Sequence, residues 1–244
     1  LEGVENKGIR PVYIHCCVKE LAIYDSFMNK PFRNPSLADQ FIGEIDRALN
    51  NIFCRQVSSR TYPASTADDQ TPQLTADEKR LAAGLMRVNH SGEMAAQALY
   101  QGQSLTARDP RLVDKLRHAS IEEADHLNWC RSRLDELGER PSLFDPLWYA
   151  GSFAIGMAAG IAGDRWNLGF LAETEHQVVR HLNSHLDNLP ANDSRSRAIV
   201  EQMKIDEQSH AELAEGLGAA DLPQPIKQMM KLTSKVMTSV AEKI

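Results

Sequence analysis

Between residues 76 and 218 apolar positions return every three or four residues, the period of a helix with one buried face. The pattern predicts four amphipathic helices, at about 76–106, 110–137, 165–189 and 193–218. Their ends carry local signals. Thr75 and Glu78 have capping-box spacing. Asp109-Pro110 breaks the first pair and puts proline at an early helical position. Leu189-Pro190 breaks the second pair, with Asp193 or Ser194 as the cap, and Gly138 and Gly218 stand at helix ends. Shorter helices are predicted from Ser36 to about Cys54 and over 223–243. Short turns make antiparallel neighbours, so the fold class is all-α, a four-helix bundle.

The four seams are interrupted. The second helix reads Leu112, Leu116, Ala119, Glu123, His126, Cys130, Leu134, Leu137. The fourth reads Ile199, Met203, Glu207, His210, Ala214, Leu217. Each sets a Glu-x-x-His pair, three apart and so on one face, where apolar residues belong. Glu175 interrupts the third seam between Leu171 and Val178, and Glu93 the first between Asn89 and Ala96. Glu122 and Asp125 fall off the stripe and are expected to be solvated.

Buried carboxylates without partners cost several kcal/mol each, and neither Lys nor Arg occupies these seams. Two divalent cations balance four carboxylates, and two neutral imidazoles complete the set. The levels agree. Glu93 lies sixteen residues before the turn near 109, and Glu123 and His126 fourteen and seventeen after it. Glu175 lies sixteen before the turn near 191, and Glu207 and His210 sixteen and nineteen after it. At about 1.5 Å per residue, all six side chains meet at one height. A duplicated Glu, then Glu-x-x-His, is the ligand set of ferritin-like di-iron and di-manganese bundles. The competing reading is four unrelated acids rescued by water.

Residues 147–163 carry no charge but include four glycines. As a helix they reach roughly 26 Å, short of the roughly 30 Å hydrocarbon core. An apolar segment at the membrane interface is the expectation, ahead of a buried connector and of a true span. Residues 55–75, rich in Ser, Thr, Asp, Gln and Pro, read as a linker. The chain thus divides into a 1–27 stretch without periodicity, a helix and linker over 28–75, a metal-binding bundle over 76–221 and a last helix over 222–244. The first 27 residues are either an upstream extension before a start at Met28 or a genuine ordered segment. They lack a basic start followed by an apolar run, so no secretory signal is expected. Four cysteines without a Cys-x-x-Cys pair favour a reducing compartment. The net charge of −6 leaves no basic footprint for nucleic acid. His181, six residues after Glu175, need not share its face. His118, His176 and His185 read as polar-face residues, and His90 as a packing or a functional residue.

Four stretches together resemble the demethoxyubiquinone hydroxylase family in its bacterial form: Arg87-Val-Asn-His-Ser-Gly-Glu93, Glu123-Ala-Asp-His126, Ala172-Glu-Thr-Glu175 and Asp206-Glu-Gln-Ser-His210. The resemblance covers about residues 36–244. It implies a ferritin-like bundle whose di-iron site is held by Glu93, Glu123, His126, Glu175, Glu207 and His210. It implies hydroxylation of the ring of a polyprenylated demethoxyubiquinol by O₂ at two ferrous ions, with NADH as external reductant. It places 147–163 against a membrane surface and His181 beside the site as a relay for electrons or protons. Some relatives have Tyr after that histidine; here Leu182 follows, so a Tyr-assisted relay does not carry over. The expected location is the cytoplasmic side of the inner membrane, peripherally bound, with a biosynthetic complex or a homo-oligomer as partner. The rivals are a ferritin-like iron-binding and oxidising protein, a manganese catalase, and a non-catalytic lipid-binding scaffold.

Overall fold

The computed structural model describes residues 36–66 and 73–244. Residues 1–27, and with them the question of an upstream extension, lie outside the described residues, as does part of the 55–75 segment. Among the described residues there are seven α-helices and no strand: α1 (Leu37–Phe53), α2 (Ala76–Thr106), α3 (Pro110–Leu137), α4 (Asp145–Ile161), α5 (Asp164–Asn188), α6 (Ser194–Gly216) and α7 (Gln224–Ala241). A 3-10 turn spans Pro63–Thr66. The chain divides into two units, Leu1–Gly43 and Glu44–Ile244. The first contributes the start of α1, where Ser36 and Asp39 cap each other reciprocally. Everything below concerns the second.

The helix ends follow local chemistry. The Thr75 side chain accepts from the Glu78 amide while Glu78 takes the Thr75 N–H. Asp109 caps α3 ahead of Pro110, and Asp193 caps α6. Gly138 closes α3 at φ 77°, a left-handed conformation that suits glycine. α2 with α3, and α5 with α6, form two antiparallel hairpins that pack face to face.

The core has three storeys. One end holds Met86, Trp129, Leu134, Leu182, Ile199 and Met203. The other holds Tyr100, Leu112, Leu116, Leu168, Leu171 and Ala214. Between them, at mid-helix on all four, lie the buried Glu93, Glu123, His126, Glu175, Glu207 and His210. Apolar clusters above and below lock the rotamers of this middle storey and keep water from its ends.

α4 packs along α2 at backbone contact. A Cβ at Gly156 would stand 2.2 Å from the Leu99 carbonyl oxygen, one at Gly160 2.0 Å from Thr106 Oγ1, and one at Gly102 2.3 Å from the Phe153 carbonyl oxygen. Gly102 on α2 and Gly156 and Gly160 on α4 therefore let the two helices touch, which accounts for two of the four glycines in the apolar segment. At its N-terminal end Asp145 is tied to α2 by the Ser91 hydroxyl at 2.5 Å and His90 Nδ1 at 3.0 Å, all buried. The opposite face of α4 leaves Leu147, Ile155 and Ile161 exposed. None of the described helices is long and apolar enough to cross a membrane.

The described part of the 55–75 segment is not a free linker. Ala64 is fully buried, and Tyr62 packs on the core beside it. Ser59 gives both its backbone N–H and its hydroxyl to the Asp125 carboxylate, at 2.6 and 2.9 Å. Asp125 is buried, not solvated as its place off the stripe suggests. Ser59, polar as a linker residue would be, is spent on a buried acid.

Candidate metal centre

Helix periodicity brings the six seam residues to one storey, and their donor atoms converge in two groups. One is Glu93, Glu123, His126 and Glu207; the other is Glu123, Glu175, Glu207 and His210. In each group one atom per residue lies within 4.8 Å of the others, and every residue is buried. Glu123 and Glu207 belong to both. Each sends one oxygen to each side: Glu123 Oε2 lies 3.4 Å from His126 Nδ1, and its Oε1 3.4 Å from His210 Nδ1. Glu207 Oε1 lies 3.0 Å from His126 Nδ1, and its Oε2 2.9 Å from His210 Nδ1. Glu123 and Glu207 therefore face both halves of the cluster. Glu93 belongs to the half with His126 and Glu175 to the half with His210.

Each histidine turns Nδ1 inward and Nε2 outward. Nε2 of His126 is 2.9 Å from Asp206 Oδ2, and Nε2 of His210 is 2.7 Å from Glu122 Oε2. Each outer carboxylate directly precedes the shared glutamate of the opposite hairpin, so the two hairpins hold one another's imidazole. A carboxylate on the far nitrogen fixes the tautomer and leaves Nδ1 a lone pair for a cation. Arg60 then grips Asp206 through two nitrogens, at 2.6 and 3.2 Å, while stacking over Trp129 at 5.0 Å.

The electrostatics call for positive charge. Burial, with the charge of Glu123, pushes the Glu93 carboxyl well above the usual carboxylate range. Burial and the charge of Glu207 do the same to Glu175. Burial would also raise Glu123, but its contacts with His126 and His210 outweigh it and hold the carboxyl below its usual range. Burial alone would lower both imidazoles. The carboxylates around His126, Asp206 first, push it well up, and Glu123 and Glu207 carry His210 to about 12. Both Glu123 oxygens, Glu207 Oε1 and His126 Nδ1 are buried without a hydrogen-bond partner. Unpartnered hard oxygens and imidazole nitrogens, aimed at one another in a dry core, fit transition-metal cations.

A cavity of about 590 Å³ opens beside Glu93 between α2, α4, α5 and α7. Gly92 leaves it room, since a Cβ there would meet nothing within 4 Å. Its rim includes Leu147, Ile155 and Met229, which are 58%, 39% and 60% exposed. His181 lines this cavity with Val178 and Leu182, on the same side as Glu93. His185, expected on a polar face, is buried with its ring centroid 4.0 Å from that of His181. Glu122, also expected to be solvated, is half-covered and spent on His210. Reading the seams missed Asp206, Glu122 and Arg60. A signal existed: an acid precedes the glutamate in both Glu-x-x-His pairs.

Residues 80–241 match the family model described as ubiquinone biosynthesis protein COQ7. A 3-demethoxyubiquinol 3-hydroxylase of Chromobacterium violaceum is 54% identical over 208 residues, covering 85% of this chain and all of that protein. Proteins of the same name from Dechloromonas aromatica and Variovorax paradoxus are each 55% identical, over 83% and 86% of this chain and 97% and 99% of theirs. Among solved structures a dodecameric thioferritin from Bacteroides fragilis, related to bacterioferritin, aligns at a TM-score of 0.47 with 15% identity, over 64% of this chain and 88% of that one.

Proposed function

This chain belongs to the COQ7 family of ubiquinone biosynthesis proteins, and from that premise we propose that it is a 3-demethoxyubiquinol 3-hydroxylase, a monooxygenase with two iron ions held in the middle storey of its bundle. The observation that carries the reading is a doubled carboxylate–imidazole cluster opening onto an apolar cavity. Glu93, Glu123, His126 and Glu207 would hold one ion and Glu123, Glu175, Glu207 and His210 the other, while Asp206 and Glu122 hold the imidazoles.

When bound as Fe²⁺, the two ions supply the electrons that reduce O₂. The balance is one ring C–H, O₂, two electrons and two protons giving one ring hydroxyl and one water. The chain's own residues do the rest. Leu99, Ile155, Phe170 and Val178 line the cavity and exclude bulk water from the ring. Tyr100 donates its hydroxyl proton to Glu175 and fixes that carboxylate. His181, whose imidazole burial keeps neutral, stands in the cavity wall where a proton or electron relay to the ring would run. NADH is the proposed source of electrons.

The cavity rim supports a membrane surface as the place where a polyprenyl tail enters. On α7 the exposed Met229, Leu232 and Val236 alternate with Lys231 and Lys235, an apolar face edged with cations that suits an anionic lipid interface. Peripheral attachment to the cytoplasmic side of the inner membrane, and assembly with a biosynthetic complex or with further copies, follow as parts of the same proposal. The test is single turnover. Protein loaded anaerobically with iron, given short-tailed demethoxyubiquinol and labelled O₂, yields product carrying one labelled oxygen. Stoichiometric iron with no quinol-dependent oxygen uptake overturns the hydroxylase and leaves the ferritin-like reading.

A further inference from the structure

Most of the cavity wall has nothing to offer a polar ligand. Its methionines, leucines and valines are apolar, and the Thr174 and Thr233 hydroxyls are already given to the Phe170 and Met229 carbonyls at 2.9 and 3.1 Å. Among its polar side chains three atoms stand out. Asn89 Oδ1, Trp148 Nε1 and His181 Nε2 are all buried, all without a hydrogen-bond partner, and all belong to residues lining this one cavity. Asn89 is itself only 3% exposed. They come from three helices, α2, α4 and α5.

A buried polar atom without a partner is costly, and native structures keep few. Three around one cavity describe a ligand that brings its own polar atoms. A polyprenyl tail has none, so these atoms are not for the tail. Asn89 sits one helical turn before Glu93 on the same face of α2, and both line this cavity. An aromatic ring bearing hydroxyl and methoxy oxygens matches the set. A phenolic hydroxyl donates to Asn89 Oδ1, and ring oxygens accept from the indole N–H and the imidazole.

We propose that Asn89, Trp148 and His181 bind the oxygen substituents of the substrate ring and so select a quinol head and fix which ring carbon faces Glu93. This rests on the quinol reading above and adds its ring-recognition residues. The apolar remainder of the cavity takes any tail. The three anchors reject a tail without an oxygenated ring.

Equilibrium dialysis of the full iron-loaded chain under anaerobic conditions tests this with two probes, a short-tailed demethoxyubiquinol and a prenyl alcohol of the same tail length. Asn89→Leu, Trp148→Phe and His181→Phe are each expected to weaken quinol binding by about tenfold, with prenyl alcohol binding changed by less than about twofold. Trp148→Phe removes the N–H while keeping an aromatic ring in place, so it decides the matter even if Asn89→Leu fails to fold. Wild-type binding of quinol that all folded variants retain overturns the assignment of the anchors. Wild-type protein that binds neither probe overturns the quinol reading itself.

Discussion

Asp206 belongs to neither donor group, yet its replacement is expected to cost metal affinity. Its carboxylate holds His126 Nε2 at 2.9 Å and is itself clamped by Arg60 and by the Gln202 amide at 2.9 Å. Although burial would raise its pKa, His126 and Arg60 lower it to about 2, so it is a fixed negative charge on the imidazole at neutral pH. Outer carboxylates of this kind are worth about 10–100-fold in metal affinity, or about 1.4–2.8 kcal/mol. Asp206→Asn removes the charge but keeps an acceptor and should fall near the lower figure. Asp206→Leu removes both and should approach the upper one. Glu122 holds His210 in the same way, but its side chain is 37% exposed against 14% for Asp206. Water screens and replaces it, so Glu122→Gln should cost less than Asp206→Asn. Competition between each protein and a chromophoric chelator for Co²⁺ or Fe²⁺ measures the difference, with far-ultraviolet circular dichroism confirming the fold. Unchanged affinity in folded Asp206→Leu, or a larger loss in Glu122→Gln than in Asp206→Asn, refutes the crossed-hairpin support of the imidazoles.

Gly156→Ala forces a Cβ to 2.2 Å from the Leu99 oxygen and should destabilise by about 1–3 kcal/mol, lowering Tm by roughly 2–12 °C, whereas Gly151→Ala meets nothing and should leave Tm unchanged or higher. Gly92→Ala should gain about 0.5–1 kcal/mol, since the helix loses an entropic cost and no clash arises. Gly92→Phe should keep full iron content but lose quinol turnover by filling the space beside Glu93. His185 is held neutral by burial, its pKa lowered to about 3 from an ordinary 6.5. The unfolded chain therefore binds the extra proton between those values, and stability falls as pH drops below 6.5. Urea unfolding at pH 7.5 and 5 should show wild type losing about 2 kcal/mol more than His185→Leu; equal losses would contradict a buried neutral imidazole.

The helix ends were legible because caps are local. Thr75 and Glu78, Asp109 and Pro110, and Asp193 all act within one turn. The six seam residues were legible because an acid on an apolar stripe breaks a period, and equal distances from two turns put all of them at one height. The supports were not. Glu122 and Asp206 lie off their stripes, and their partners sit on the other hairpin, so their role exists only once the hairpins dock. Arg60 and Ser59 come from a polar segment whose composition matches that of solvated linkers. The glycines of α4 suggested a poor membrane helix, when two of them, Gly156 and Gly160, serve close contact with α2 at Leu99, Gln103 and Thr106. Which glutamates belong to both donor groups was likewise invisible in spacing. It follows from the way each Glu123 and Glu207 oxygen faces a different histidine.

Counting bound iron decides the central claim most directly. Anaerobic loading followed by gel filtration and elemental analysis should give two iron ions per wild-type chain, one for each donor group. Glu123→Ala, which strips a ligand shared by both groups, should retain far less than Glu93→Ala, which strips a ligand from one. Wild-type protein holding one ion or none, or Glu123→Ala still holding two, would contradict it.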